Sequence, residues 1–309
     1  MINVLFAARS ERWDQYETPL RAAFTEDGLD VDLRLDFPPH EVDYIVYAPN
    51  SLLQDFTPYT RAKAVLNLWA GVEAVVDNPT LTLPLARMVG GGLTEGMVEW
   101  VTGHTLRHHL GMDAHIINPS HAWRPRVPPL ASERKVTILG LGALGLACAN
   151  ALTSVGFETH GWSRSPKAAP DIICHHGAEG LRPSLDQAQI VILLLPDTPA
   201  TQDIMNAETL SWLAPGAALI NPGRGPLIDD TSLIAALDSG QIGHATLDVF
   251  RTEPLPKDHP YWAHPKVTVT PHVASETRPV LAAQVIARNI SNGEKGAPFE
   301  HLVDRRLGY

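Results

Sequence analysis

A glycine loop set between a strand and a helix constrains this chain more than any other feature. Lys135 to Leu139 is a short β-type run, Gly140-Leu-Gly-Ala-Leu-Gly145 follows at once, and Ala143 to Val155 has helical patterning. In such a unit the first glycine permits the tight turn, the second lets the backbone approach a pyrophosphate, and the third lets helix and strand pack closely. Gly140, Gly142 and Gly145 take those three places. The N–H groups of Ala143 and Leu144, at the positive end of the helix dipole, are the expected seat of the pyrophosphate. Glycines in this spacing also serve ordinary turns; the flanking strand and helix are what favour a dinucleotide.

The second strand of the unit, Glu158 to Trp162, adds a choice of cofactor. NAD usually has its ribose hydroxyls held by an acidic residue at the end of that strand. Here the chain reads Ser163-Arg164-Ser165-Pro166-Lys167, with hydroxyl and cationic donors and no carboxylate. A 2′-phosphate would find a guanidinium to pair with. NADPH (NADP) is therefore expected in preference to NADH, which remains possible; a solvated basic turn is the plain alternative.

Strand-like runs alternate with helical patterns almost from end to end, the signature of parallel sheets covered by helices. Ile2 to Phe6, Tyr44 to Tyr47, Val65 to Leu68 and Leu81 to Met88 read as strands of a first domain, with helical stretches near Tyr16 to Phe24 and Tyr59 to Lys63. Met97, Val98, Val101, Thr105 and Leu106 recur at helical spacing in a run to Leu110, where the chain is expected to cross domains. Beyond the glycine loop, strands are expected at Ile190 to Leu195, Ala217 to Asn221, His244 to Asp248 and Val267 to Thr270, and a last helix at Val280 to Ile290. The expected fold is α/β with two doubly wound parallel-sheet domains. Residues 99–276 form a Rossmann-type nucleotide domain inserted in a flavodoxin-like substrate domain of residues 1–98 and 277–309.

Composition narrows the function classes. Among 309 residues, 24 Lys plus Arg stand against 34 Asp plus Glu, a formal charge of −10 without a basic cluster, so no nucleic-acid partner is expected. No stretch approaches the roughly 18 apolar residues of a membrane span. Two cysteines, Cys148 and Cys174, without a short Cys-x-x-Cys spacing fit a reducing, cytoplasmic compartment.

Three polar residues follow strands where α/β sheets present their chemistry. Arg224 lies in Asn221-Pro-Gly-Arg-Gly225, Glu253 in Asp248-Val-Phe-Arg-Thr-Glu253-Pro254, and His272 in Thr270-Pro-His-Val-Ala-Ser275. A cation, a carboxylate and an imidazole from separate loops suit reduction of a 2-oxo acid. Singly, each reads as readily as a surface ion or a cap.

With these motifs the chain resembles the D-2-hydroxyacid dehydrogenase family over nearly its whole length. Leu193-Leu-Leu-Pro-Asp-Thr-Pro-Ala-Thr201, Asn221 to Gly225, Leu247-Asp-Val-Phe-x-x-Glu-Pro254 and Thr270-Pro-His-Val273 carry the likeness. Within the family it is most similar to the bacterial glyoxylate and hydroxypyruvate reductase A branch. That likeness rests on Trp162-Ser-Arg-Ser165, Leu68-Trp-Ala-Gly-Val72, Glu253-Pro-Leu-Pro256 and the ending Val303-Asp-Arg-x-x-Gly-Tyr309. The resemblance implies roles. Arg224 pairs with the substrate carboxylate and polarises the carbonyl, His272 is the general acid in reduction, and Glu253 orients His272. The amides of Ala70 and Gly71 complete the carboxylate clamp, Asp248 holds the nicotinamide carboxamide, and Leu195, Pro196 and Thr201 belong to the cofactor side. It also implies a small 2-oxo or 2-hydroxy acid as substrate and a homodimer, with the Pro-, Arg- and Trp-containing arm from Asn118 to Glu133 embracing a second subunit. Two positions depart from the pattern: Gly223 stands where the family has Ala or Ser, and Trp69 where the branch has a small residue.

Tyr47, Trp69 and Arg87 follow short strands of the first domain and are candidates for the substrate pocket, against core packing for the first two and a surface ion pair for the third. His104 and His108, four apart on a helix, lack the Glu of a zinc hydrolase motif, and no metal is expected. His175 and His176 are read in a loop beside Cys174. The alternatives left open are a dinucleotide-sensing binding protein of corepressor type and a reductase for bulkier 2-oxo acids such as phenylpyruvate.

Overall fold

The computed structural model describes residues 1–90 and 92–306; Gly308 and Tyr309, which end the C-terminal motif, lie outside the described residues. The chain forms two compact units, Met1–Thr94 with the segment from Glu276 onward, and Glu95–Ser275.

The first unit holds β1 (Ile2–Ala7), α1 (Ser10–Glu26), β2 (Val31–Arg34), β3 (Tyr44–Tyr47), β4 (Ala64–Asn67) and β5 (Leu85–Ala86). Its five strands are parallel in the order β2-β1-β3-β4-β5. Successive side chains of a strand point to opposite faces. Val4, Phe6, Tyr44 and Val46 accordingly pack with Leu20 and Phe24 on one face, while Leu5, Ile45, Tyr47 and Val65 pack with Val72 and Leu81 on the other. Both faces are covered, as a parallel sheet requires.

Two expectations for this unit are corrected, and one strand was not foreseen. Tyr59 to Lys63 is a pair of tight turns, Tyr59 N–H to Phe56 O at 3.1 Å and Ala62 N–H to Tyr59 O at 3.2 Å, before the Lys63 amide donates to Asp43 O just ahead of β3. So short a stretch cannot repay helix nucleation. Leu81 to Met88 contributes only the two residues of β5, because Pro84 has no N–H to give a ladder. The strand β2, exposed at one edge, has too little apolar patterning to be read from sequence.

The second unit continues α2 (Leu93–Leu110) into α3 (Asp113–Ile116), then β6 (Lys135–Leu139), α4 (Ala143–Val155), β7 (Glu158–Ser163), β8 (Ile173–His176), α5 (Gly177–Leu185), β9 (Ile190–Leu193), α6 (Ala207–Ser211), β10 (Ala217–Asn221), α7 (Asp230–Ser239), β11 (Ile242–Leu247) and β12 (Val267–Val269). Its seven parallel strands run β12-β11-β10-β9-β6-β7-β8. β6 lies inside with its first crossover to β7 on one side and its return to β9 on the other, which places the topological switch point beside the glycine loop. Cys148, Ala149 and Leu152 of α4 pack on Ile138, Ile190, Ile192 and Ile220. His175 and His176 belong to β8 and not to a loop, paired with Trp162 and Ser163. α8 (Pro279–Glu294) returns to the first unit, where Ala283, Ile286 and Ile290 join the core of α1.

Candidate active site

The glycine loop has the shape that its sequence calls for. Gly140 takes φ +111°, and a Cβ there would stand 2.4 Å from Leu194 O; a Cβ on Gly145 would stand 1.7 Å from Gly140 O. Both positions exclude any side chain. Gly142, the N-cap of α4, opens on free space instead, with nothing within 4 Å of its Cβ position. The N-terminal amides of α4, Ala143 and Leu144 among them, follow directly on that open position, and the cradle fits a pyrophosphate. At the end of β7, Arg164, Ser165 and Lys167 are exposed, whereas Ser163 is buried and its hydroxyl donates to Ser165 O at 2.8 Å. Ser163 thus shapes the basic turn. Leu195 and Thr201 are buried, and the Thr201 hydroxyl donates to Pro196 O at 2.6 Å and accepts from Thr198 N–H at 2.9 Å, so this stretch is a braced loop.

The three residues singled out for chemistry come together in the second unit. β10 ends at Asn221, whose side chain holds both sides of the next turn: Oδ1 accepts from Gly223 N–H at 3.0 Å and Nδ2 donates to Arg224 O at 2.9 Å. β11 leads through Asp248 to Glu253, which receives the Phe250 N–H on Oε1 at 2.9 Å. Its other oxygen, Oε2, lies 2.7 Å from His272 Nδ1. His272 follows β12 with φ +55°, a left-handed conformation that a non-glycine residue adopts at a cost.

Electrostatics follow from that geometry. The Glu253 hydrogen bond and charge, with Asp248 behind, raise the His272 pKa above that of an ordinary imidazole against the opposing effects of burial and Arg224. Burial pushes the Glu253 carboxyl up, but the hydrogen bonds from His272 and Phe250 and the charges of His272 and Arg224 outweigh it and hold it below the usual carboxylate value. The site therefore keeps an ionised carboxylate behind an imidazole that stays protonated to a higher pH, an arrangement suited to proton donation.

Asp248 braces the loop that carries His272. Its carboxylate is fully buried, with Oδ1 accepting from Thr270 Oγ1 at 2.5 Å and Val273 N–H at 2.9 Å, and Oδ2 from Ala274 N–H at 2.8 Å. These bonds fix the loop carrying His272. Tyr47 is corrected: it is completely buried, ring to ring with Phe56 at 5.3 Å, and is a core residue. Trp69, Ala70, Gly71 and Arg87 all lie in the first unit, with Trp69 exposed and the other three half-buried. Sequence reasoning missed Asn67, which donates to Trp69 O at 2.9 Å and Gly71 O at 3.1 Å and so braces that loop. A polar residue closing an otherwise apolar strand was the available signal. Among the described residues no group of three or more His, Cys, Asp or Glu could hold a metal, and no helix is long and apolar enough to cross a membrane.

Comparison with known proteins agrees with the geometry. The family model of the D-isomer specific 2-hydroxyacid dehydrogenase NAD binding domain matches residues 104–274. A glyoxylate/hydroxypyruvate reductase A from Serratia proteamaculans is 41% identical over 257 residues, which are 81% of this chain and 82% of the relative. The chain belongs to the D-isomer specific 2-hydroxyacid dehydrogenase family. Two solved members of that family superpose over 100% of this chain and 99% of their own. One, from Xanthobacter autotrophicus in complex with NADPH and MES, has TM-score 0.93 and 39% identity. The other, an NADPH-dependent glyoxylate/hydroxypyruvate reductase from Sinorhizobium meliloti in complex with NADP and sulfate, has TM-score 0.86 and 34% identity. In this dehydrogenase the departure at Gly223 has a local reason: a Cβ there would come within 2.7 Å of Leu193 O.

Proposed function

We propose that this dehydrogenase reduces a small 2-oxo acid of the glyoxylate and hydroxypyruvate type to the D-2-hydroxy acid with NADPH, His272 acting as general acid. The observation that carries the reading is the 2.7 Å contact between Glu253 and His272 beside Arg224, in the unit that bears the dinucleotide loop. The bound nicotinamide supplies a hydride to the substrate carbonyl carbon. The electron pair displaced from the C=O bond settles on oxygen, His272 gives that oxygen its proton, and Arg224 holds the substrate carboxylate while its charge opposes the developing negative charge. Glu253 fixes the imidazole and stabilises its cationic form. Arg164 and Lys167 pair with the 2′-phosphate, which is our basis for NADPH over NADH. Ala70, Gly71, Trp69 and Arg87 are proposed as substrate contacts.

Oxidation of NADPH followed with glyoxylate, hydroxypyruvate, pyruvate and phenylpyruvate tests the reading. His272→Ala is expected to lose about 10²- to 10⁴-fold in turnover while still binding NADPH. A chain that binds NADPH and turns over none of the four acids is a sensor and not a reductase.

The arm supports a homodimer: Trp123 is 95% and Val127 92% exposed, with Ile116, Ile117 and Leu130 exposed nearby. So much uncovered apolar side chain is the mark of a surface meant to be covered. A mass by light scattering equal to one chain would refute the dimer. Two free cysteines, one buried, favour a reducing, cytoplasmic setting.

A further inference from the structure

Three loops at the carboxyl end of the second sheet meet at one guanidinium. β9, β10 and β11 are neighbours, and the segments that follow them carry Asp203, Arg224 and Glu253 in turn. Arg251, two residues before Glu253, reaches from the third loop into the other two. Its Nη2 donates to Asp203 Oδ1 in the loop after β9 and to Ile228 O in the segment after Arg224, with Pro226 O at 3.5 Å. Its Nε lies 3.8 Å from Asp230 Oδ2 at the start of α7. The first two loops are themselves joined, since Asp203 N–H donates to Pro226 O at 2.9 Å and Met205 N–H to Leu227 O at 3.0 Å. Arg251 adds the Glu253 loop to that pair.

The Glu253 loop is closely fitted at this point. The backbone of Phe250 and Arg251 lies against Gly225, where an added Cβ would stand 1.9 Å from Phe250 C and 2.4 Å from Arg251 N. Phe250 N–H in turn donates to Glu253 Oε1 at 2.9 Å. Tyr261, buried with its ring centroid 6.4 Å from that of Phe250, donates its hydroxyl to Asp230 Oδ1 at 2.8 Å, and His259 Nε2 lies 4.0 Å from Asp230 Oδ2. A planar fork that serves two carboxylates and a peptide carbonyl fixes direction as well as distance, which a point charge does not. The Arg251 side chain is 38% exposed, where an ion pair contributes little to stability, so its effect falls on placement.

We propose that Arg251 is a positioning residue: by tying together the loops after β9, β10 and β11 it holds Glu253 where it meets His272 and sets that pair against Arg224. The proposal rests on the reductase reading and adds to it a residue that acts through Glu253. Its mode of action has a sign. The charges that bear on His272 are those of Glu253, Asp248 and Arg224, and the Glu253 hydrogen bond is the largest influence. Were the Arg251 cation acting on the imidazole directly, its removal would let His272 keep its proton to higher pH. Acting through the place of Glu253, its removal weakens the bond that favours the imidazolium, and the proton is lost at lower pH.

The test follows the His272 ring by NMR titration in the wild type, Arg251→Ala and Arg251→Lys, its resonance assigned by its loss in His272→Gln, beside kcat/KM for glyoxylate with NADPH across pH. In Arg251→Ala the ring titration and the alkaline limb of kcat/KM are expected to move together to lower pH, by roughly half a pH unit or more. The optimal kcat falls about tenfold while KM for NADPH is little changed. Arg251→Lys, which keeps the charge and loses the fork, falls between. Should Arg251→Ala fail to fold, Asp203→Asn, at a half-exposed position whose left-handed backbone suits asparagine, is expected to shift the titration the same way by less. A titration that stays in place or moves to higher pH in the folded variants overturns the Arg251 proposal and leaves the reductase reading standing. A wild type that oxidises no NADPH with any of the four acids overturns the reductase reading, while the ring titration, which needs no substrate, still decides for or against Arg251.

Discussion

His272 Nδ1 and Glu253 Oε2 are 2.7 Å apart, and each changes the other's proton affinity in the direction that catalysis of reduction needs. Because the His272 pKa is raised above the ordinary imidazole value, the protonated form that reduction uses persists at pH values where a free histidine has lost its proton. Reductase activity is lost as pH rises through that raised pKa. Glu253→Gln keeps a hydrogen-bonding side chain and removes the charge, so the alkaline limb of kcat/KM for the 2-oxo acid should move to lower pH. The rate at its optimum should fall roughly 10-fold or more. An alkaline limb that stays in place in Glu253→Gln would show that His272 is not the titrating acid.

Arg164 and Lys167 are exposed at the end of β7, where the nucleotide phosphate would lie. A charge-assisted bond to phosphate contributes about 1.5–3 kcal/mol, and each 1.4 kcal/mol is a factor of ten. Arg164→Ala is therefore expected to raise KM for NADPH about tenfold or more and to change KM for NADH little, since NADH has no 2′-phosphate. Steady-state kinetics with both cofactors check this. Equal weakening of the two would mean that the turn does not read the 2′-phosphate.

Much of the fold was legible because parallel strands buried on both faces are continuous apolar runs. β6 and β10, and α4 with its glycine loop and its Gly156 cap at φ +104°, have the bounds that their sequences suggest. β2 and β8 were not, since both lie at sheet edges and only Leu33 among their residues is buried. In the site, Arg224, Glu253 and His272 announced themselves by residue type at strand ends. Tyr47 misled because an aromatic residue at the end of a strand has the same letter whether it faces a ligand or turns inward. Only packing shows that Tyr47 turns inward, ring to ring with Phe56.

A group of histidines outside the site predicts acid sensitivity. His108 Nε2 lies 2.9 Å from Thr246 Oγ1, and His244 Nε2 lies 2.9 Å from Thr268 Oγ1, tying α2 to β11 and β11 to β12. Burial, the neighbouring His244 and the Arg107 charge push the His108 pKa down to about 3; burial and Arg107 also lower His244, with Asp113 acting the other way. Both are neutral in the folded chain and gain protons on unfolding once pH falls below about 6.5. The stability they allow is complete above that value and is lost progressively as pH drops below it, for His108 toward about 3. The Tm should hold steady from pH 8 to 7 and then fall toward pH 5, and His108→Gln should make that fall shallower. An unchanged slope in His108→Gln would remove His108 from the account.

Gly223 and Gly225 flank the catalytic arginine, and their surroundings differ enough to predict different failures. A Cβ on Gly225 would stand 1.9 Å from the carbonyl carbon of Phe250 and 2.4 Å from the Arg251 nitrogen, so two backbone segments would have to part. Phe250 is also the residue whose N–H holds Glu253. Gly225→Ala is expected to cost more than the usual 1–3 kcal/mol of overpacking and to lower Tm and activity together. At Gly223 the nearest atom to an added Cβ is Leu193 O, at 2.7 Å, followed by Leu193 C and Leu227 Cδ1 at 3.3 Å. Leu193 O is backbone and cannot swing aside, so the turn itself must shift, and that moves the peptide that Asn221 holds and from which Arg224 projects. Gly223→Ala should thus leave KM for NADPH and most of the Tm intact while lowering kcat/KM for the 2-oxo acid about tenfold, since small displacements of a positioning cation are costly to rate. Melting curves and steady-state kinetics on the two variants separate the cases. A Gly223→Ala enzyme with wild-type kinetics would mean that the turn can accept the methyl group without moving Arg224.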